Sequence, residues 1–311
     1  MGKIVYSIVV PAYNEEECLP LFFEKVIPIF EKLDEDFEII VVNDGSKDKT
    51  EEIIKNVCSK DKRVKGISFS RNFGQQAAFL AGLKEARGEA VIAMDADLQD
   101  PPEVALLMIE KWKEGYDVVH GRRKSRQKES IFKKLTARIY YKFLHRISYA
   151  KVPENVGDFK LYSRNAVDAI VSLPEHDRLL RAQAAWVGFK QTFIDFDRPA
   201  REVGETKYTL KKMVKLASDG IISNSDYPLT LSLKWGLFLG FCSLAAFITF
   251  IVLAANGIIS GLLPWLFPTV TTLFAINSVL KGLTDIYTSR IYNEVKNRPV
   301  YVVKEKYNSE K

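Results

Sequence analysis

Cysteine and histidine are scarce in this 311-residue chain. Cys18, Cys58 and Cys242 lie far apart, with no Cys-x-x-Cys. That excludes a disulfide scaffold and a cysteine zinc site, and fits a reducing compartment. With only His120, His145 and His176 present, a multi-histidine metal centre is not expected. The absence of Gly-x-x-x-x-Gly-Lys-Ser/Thr excludes a P-loop enzyme. No Gly-x-Gly-x-x-Gly follows the first apolar run, which counts against a dinucleotide fold. That run, residues 4–10, stops at Pro11 before Asn14-Glu15-Glu16-Glu17 and is too short for a signal peptide. Met1-Gly2 is followed by Tyr6 where a myristoylation signal has Ser or Thr. The N-terminal part is therefore expected to stay on the side of the membrane where it is made. No internal repeat or low-complexity tract is found.

Hydrophobic residues make up 47% of the chain and charged residues 27%, the balance of a folded protein. The length suits about two domains. A net charge of +6 favours an anionic partner: a nucleotide, a nucleic acid or a membrane surface. The average conceals a split, because residues 231–284 are almost free of charge.

The first hundred residues alternate apolar runs with helical periodicity. Strands are expected at Val5–Val10, Phe37–Val42, Val64–Ser70 and Ala90–Met94, and helices at Glu16–Lys32, Asp48–Cys58 and Gln75–Ala86. Pro28 is expected to shorten or bend the first helix. This β-α-β-α-β-α-β order predicts an α/β fold, a mostly parallel sheet flanked by helices. Ligands of such sheets collect at the carboxyl ends of the strands. Tyr13-Asn14-Glu15, Asn43-Asp44, Arg71-Asn72 and Asp95-Ala96-Asp97 all fall there. Asp95 and Asp97, two carboxylates beyond an apolar strand, form a hard-oxygen site suited to Mg²⁺ or Mn²⁺ when phosphates complete the shell, and Gln99 and Asp100 follow at once. Asp44 is placed to accept hydrogen bonds from a base or ribose.

Farther on, ten Lys and Arg residues between Arg122 and Arg146 face the single acid Glu129, with Ile131, Leu135, Ile139, Phe143 and Ile147 spaced by four. This predicts a basic amphipathic helix over about 128–147, suited to anionic membrane lipid. A second amphipathic stretch, juxtamembrane, is expected at 209–230. Trp235 to Ala255 lacks charge, and about 20 residues span the ~30 Å of hydrocarbon. With 262–283 it predicts a two-helix transmembrane hairpin within 231–284. The hairpin loop has no Lys or Arg while its flanks are basic, so a multi-pass protein of the cell membrane is expected, with catalytic domain (1–208) and tail (285–311) in the cytoplasm. In the tail, Pro299–Val303 reads as a short strand that pairs with its own domain or another protomer.

Four segments occur in order: Ser7-Ile8-Val9-Val10-Pro11-Ala12-Tyr13-Asn14-Glu15, Val41-Val42-Asn43-Asp44-Gly45-Ser46, Ser70-Arg71-Asn72-Phe73-Gly74 and Met94-Asp95-Ala96-Asp97-Leu98-Gln99-Asp100-Pro101-Pro102. Together they resemble glycosyltransferase family 2, within it the bacterial polyprenyl-phosphate glycosyltransferases related to dolichol-phosphate mannose synthase. Gly204-x-Thr206-Lys207-Tyr208, Asp219-Gly220-Ile221 and Arg290-Ile291-Tyr292-x-Glu294 extend the resemblance over nearly the whole chain. It implies a GT-A-type fold, a nucleotide-sugar donor, a polyprenyl phosphate acceptor and a divalent cation, Mg²⁺ or Mn²⁺. Pro11, Tyr13, Glu15, Asp44, Arg71 and Asp95 would line the nucleotide sugar. Asp97 and Gln99, with Asp95, would hold the metal. Arg123, Arg126 and Ser130 would bind the acceptor phosphate, and Arg178, Arg181 and Lys207 would stabilise the leaving diphosphate. Asp158 would orient the acceptor or act as a base. The family inverts configuration, and some relatives are tetramers, so a homo-oligomer is implied.

This chain departs from the family pattern at Lys160, where relatives usually have Arg, at Ala182, where they have Gly, and at Asn224, often aromatic. These changes bear on donor preference more than on reaction type. The sugar stays open among UDP-glucose, UDP-N-acetylglucosamine and UDP-galactose. A processive polysaccharide synthase is the rival enzyme reading, but Gln183-Ala184-Ala185-Trp186 lacks the arginine of Gln-x-x-Arg-Trp. A non-catalytic membrane partner is opposed by the intact Asp-x-Asp. Nucleic-acid binding is not expected, because the basic residues sit on lipid-compatible helices.

Overall fold

The computed structural model describes residues 4–124, 156–175, 178–197 and 263–308, with scattered positions between 234 and 257. The expected basic helix (128–147), the juxtamembrane stretch (209–230), most of the first charge-free run (235–255), and Arg126, Ser130 and Lys207 lie outside the described residues. The chain divides into two units, Met1–Met213 with Pro299–Lys311, and Val214–Arg298.

The first unit is built on one eight-stranded sheet. Strands β1 (Tyr6–Ala12), β2 (Phe37–Asn43), β3 (Val64–Phe69) and β4 (Ala90–Ala93) alternate with helices α1 (Cys18–Phe30), α2 (Thr50–Lys60) and α3 (Gln75–Glu85). Every residue of these four strands is buried, and their β-branched runs suit a sheet covered on both faces. After β4 come α4 (Pro102–Lys113), β5 (Val118–Arg123), β6 (Val156–Ser163), α5 (Arg164–Ser172), α6 (Leu180–Trp186) and β7 (Gln191–Phe196). The tail supplies β8 (Val303–Tyr307). Spatial order is β7-β5-β6-β4-β1-β2-β3-β8.

The pairs β4–β1, β1–β2, β2–β3 and β5–β7 are parallel, whereas β6 runs antiparallel to β4 and β5, and β8 antiparallel to β3. The sheet is thus mixed, with its parallel core where the βαβ rhythm predicted one. The register sets Ala12 beside Asn43, so the loops leaving β1 and β2 emerge side by side. Helix α1 buries Leu19, Phe22, Phe23, Val26 and Phe30 against one face of the sheet. Pro28 sits in its last turn, and the helix ends two residues later.

One expectation is overturned. Among the described residues, no helix is long and apolar enough to cross a membrane. The structure therefore does not support the two-helix transmembrane hairpin, or the multi-pass membrane placement inferred from it. In the second unit, α7 (Leu263–Lys296) runs for 34 residues, past position 283, the expected end of the second span. Thr269, Thr271, Thr272, Asn277 and Ser278 interrupt its apolar first half. Lys281, Asp285, Arg290, Glu294 and Lys296 charge the remainder, and such charges are costly in hydrocarbon.

Candidate active site

The parallel register delivers the predicted polar clusters to one rim. Asp44, just past β2, is buried, and its carboxylate accepts from Asn72 Nδ2 at 2.9 Å, Phe73 N–H at 2.6 Å and Gly74 N–H at 2.9 Å. Burial pushes its carboxyl above the ordinary value, against the pull of the Phe73 and Gly74 N–H groups and the Arg71 charge. Gly45 turns the chain at φ +66°, and a Cβ there would sit 2.4 Å from the Arg71 carbonyl carbon. That crowding and the left-handed backbone explain why glycine follows Asp44.

The β1 and β2 loops are laced together. Asn14, left-handed at φ 55°, takes the Ser46 hydroxyl with its N–H at 3.0 Å and accepts from Lys47 N–H at 2.9 Å. Glu15 N–H donates to Thr50 Oγ1 at 2.9 Å, and Lys49 N–H to Glu16 Oε2 at 3.0 Å. Pro11 is buried inside β1 while Tyr13 is exposed at the rim. Burial, then Glu15, then the charge of Asp97 push the Cys18 thiol up to about 12.

After β4, half-buried Asp95, Asp97 and Gln99 alternate with buried Ala96, Leu98 and Asp100. Leu98 is held at φ 55°, a sparsely populated conformation for leucine, with its side chain anchored inside. Asp95 Oδ1 accepts from Gln75 Nε2 at 2.7 Å, and Asp97 Oδ1 from Gln99 N–H at 3.1 Å. Among the described residues no three His, Cys, Asp or Glu side chains cluster as a metal site. Two carboxylates and an amide oxygen still fit Mg²⁺ or Mn²⁺, which takes one or two carboxylates and completes its shell with phosphates and water.

A second acid stands on β6. Asp158 has a side chain only 8% exposed, and its Oδ2 accepts from Gln76 Nε2 at 3.0 Å, with Arg181 Nη2 at 3.4 Å. Gln76 Oε1 accepts from Leu180 N–H, the start of α6, at 2.9 Å. Adjacent residues at the start of α3 therefore hold the two acids: Gln75 takes Asp95 and Gln76 takes Asp158. Sequence reasoning assigned neither glutamine a role. Their signal was a polar pair opening a helix whose next seven residues are apolar or glycine and buried. Two residues past Asp158 lies Lys160, fully buried, whose Nζ has no hydrogen-bond partner among the described residues. Burial drives it down to about 7, opposed by the Asp158 charge and assisted by Arg181.

The remaining predicted residues are more dispersed. The Arg71 guanidinium lies over the Phe73 ring, 3.9 Å from its centroid. Arg123 ends β5 close to Gly157, where a Cβ would be 3.0 Å from its Nη2. Arg178 donates to the main-chain carbonyls of Ile170 and Leu173 at the end of α5.

Residues 7–171, over half the chain, match the family model Glycosyl transferase family 2. The chain belongs to that family. It is 43% identical to the uncharacterized glycosyltransferase YkcC of Bacillus subtilis (strain 168), over 99% of this chain and 95% of that relative. It is 39% identical to the bactoprenol glucosyl transferase of Shigella phage SfII, over 97% of this chain and 98% of the relative. Among solved structures it resembles glucosyl-3-phosphoglycerate synthase from Mycobacterium tuberculosis in complex with Mn²⁺, UDP-glucose and phosphoglyceric acid, at 18% identity and a TM-score of 0.49, covering 71% of this chain and 79% of that one. The chain is a glycosyltransferase, and its predicted family is the one found.

Proposed function

We propose that this glycosyltransferase moves a monosaccharide from a UDP-linked sugar to a polyprenyl phosphate such as undecaprenyl phosphate, inverting the anomeric centre and using Mg²⁺ or Mn²⁺. The observation that carries this reading is the match, along almost the whole length of both chains, to relatives named bactoprenol glucosyl transferase. The assembly of Asp44, Glu15, Asp95 and Asp97 at one sheet rim supports it.

In this reading Asp44 orients the base. A carboxylate offers about four acceptor sites; Asn72, Phe73 and Gly74 take three, which leaves one for a base N–H. Pro11, Tyr13, Glu15, Arg71 and Asp95 line the donor. A cation held by Asp97, Gln99 and Asp95 would supply Lewis-acid stabilisation of the leaving diphosphate. The acceptor phosphate is ionised near neutral pH, so it needs no strong base. An oxygen of that phosphate forms the new bond to the anomeric carbon, and the UDP oxygen departs with the electron pair of the bond that breaks. Asp158, kept in place by Gln76 and Arg181, orients the acceptor. Arg123 (with Arg126 and Ser130 outside the described residues) binds the acceptor phosphate, where a planar guanidinium suits two oxygens. Arg178, Arg181 and Lys207 add positive charge for the developing diphosphate.

The test is incubation of the full chain with undecaprenyl phosphate, Mg²⁺ and labelled UDP-glucose, UDP-N-acetylglucosamine, UDP-galactose and GDP-mannose. A lipid-linked product from one UDP-sugar is expected; none from any donor would refute the reading. Asp97→Ala should abolish turnover with an unchanged circular-dichroism spectrum, and retained activity would remove Asp97 from the metal site.

A further inference from the structure

The loop that supplies all three donors to Asp44 leans on the tail of the chain as well as on its own Arg71–Phe73 contact. It follows β3, the strand that β8 covers. Ser70 N–H, the last ladder position before the loop, donates to Val302 O at 3.0 Å. One residue earlier, Phe69 stacks on Tyr301 with ring centroids 4.9 Å apart and planes inclined at 14°. Phe69 meets Phe73 edge-to-face at 5.7 Å, and Phe73 N–H holds Asp44 Oδ1. The rest of β8 is anchored separately: Tyr307 and Lys304 bind Glu51 of α2, and Lys306 pairs with Glu85 of α3.

We infer that Tyr301 is a positioning residue for the donor: through the Phe69–Phe73 pair it sets the 71–74 loop in the conformation that fixes Asp44. The inference rests on the reading of Asp44 as the residue that meets the nucleotide. Tyr301 belongs to the tail, more than two hundred positions from Asp44, and touches none of the acids itself. Its influence passes through two ring contacts and one main-chain N–H. Loss of a ring pair removes roughly 0.5–1.5 kcal/mol of ordering, and each 1.4 kcal/mol is about tenfold in affinity. A Tyr301→Ala chain should thus bind UDP about two- to tenfold more weakly.

The experiment is calorimetric titration of UDP, with Mg²⁺, into the full chain and its Tyr301→Ala, Tyr301→Leu and Tyr301→Phe variants, paired with steady-state transfer to undecaprenyl phosphate. The alanine and leucine variants should show weaker UDP binding and a raised KM for the donor, with kcat at saturating donor and KM for the lipid unchanged. Tyr301→Phe keeps the ring and should match the parent. If Tyr301→Ala fails to fold, Tyr301→Leu, which retains apolar volume without a ring, decides. Parent-like UDP binding by the folded ring-less variants overturns the inference, as does a phenylalanine variant as weak as the leucine one. A parent chain that forms lipid product but binds no UDP instead overturns the donor reading, and the inference with it.

Discussion

Gly45 concentrates the conformational demand of the rim around Asp44 in one residue. Its φ of +66° and the 2.4 Å approach of a built Cβ to the Arg71 carbonyl leave no room for a side chain. Gly45→Ala should cost on the order of 1–3 kcal/mol and displace the 71–74 loop. A fall in the thermal midpoint together with a raised donor KM is expected; a parent-like KM would separate this turn from the nucleotide site. His120 makes a different demand. It is buried on β5 opposite Lys160, its Nε2 lies 2.7 Å from Gln191 Oε1, and its ring stacks on Phe193. Burial, with the Lys160 charge, drives its imidazole down to about 4, while the Gln191 bond resists. Between that value and the ordinary ~6.5 the unfolded chain binds a proton that the folded chain refuses. Stability should therefore fall as pH drops from about 6.5 to 4, by roughly 3 kcal/mol from this group. A His120→Gln chain should show a shallower loss in urea melts over that window, and equal slopes would show that His120 is not what titrates.

At the scale of elements, a buried ion pair ties the first three strands together. Glu38 on β2 accepts from Ser7 Oγ of β1 at 2.6 Å, from Lys65 Nζ of β3 at 2.6 Å and from Arg87 N–H after α3 at 2.7 Å. The Glu38 and Lys65 side chains are 1% and 9% exposed. Glu38→Gln leaves the ammonium buried without a counter-charge, which typically costs about 3–5 kcal/mol. A loss of that size in denaturant midpoints is expected, far above the ~0–1 kcal/mol of an exposed pair; a loss under 1 kcal/mol would mean that water reaches Lys65. The apolar runs foretold these strands, but not this knot. Nothing in the sequence links Glu38, Lys65 and Ser7; only parallel pairing sets the three side by side.

On the scale of the molecule, the proposed dependence on a divalent cation is tested by removing the ion. Exhaustive chelation should abolish transfer, and Mg²⁺ or Mn²⁺ should restore it, followed by lipid-product formation; activity that survives chelation would dismiss the Asp95–Asp97–Gln99 assignment. The sequence by itself determined the order of the first four strands and three helices, the family, and the acids at the strand ends. All of these follow from local periodicity and from short contiguous motifs. It misjudged the apolar stretch after residue 231: the span expected at 262–283 is part of a helix that continues to Lys296, and no described helix is long and apolar enough to cross a membrane. Only the tertiary structure decided that Gln75 and Gln76 hold Asp95 and Asp158, that the tail closes the sheet at β3, and that Tyr301 stands behind the loop facing Asp44. Those pairings join residues tens to hundreds of positions apart. No periodicity links such partners; strand register and sheet order bring them within hydrogen-bond reach.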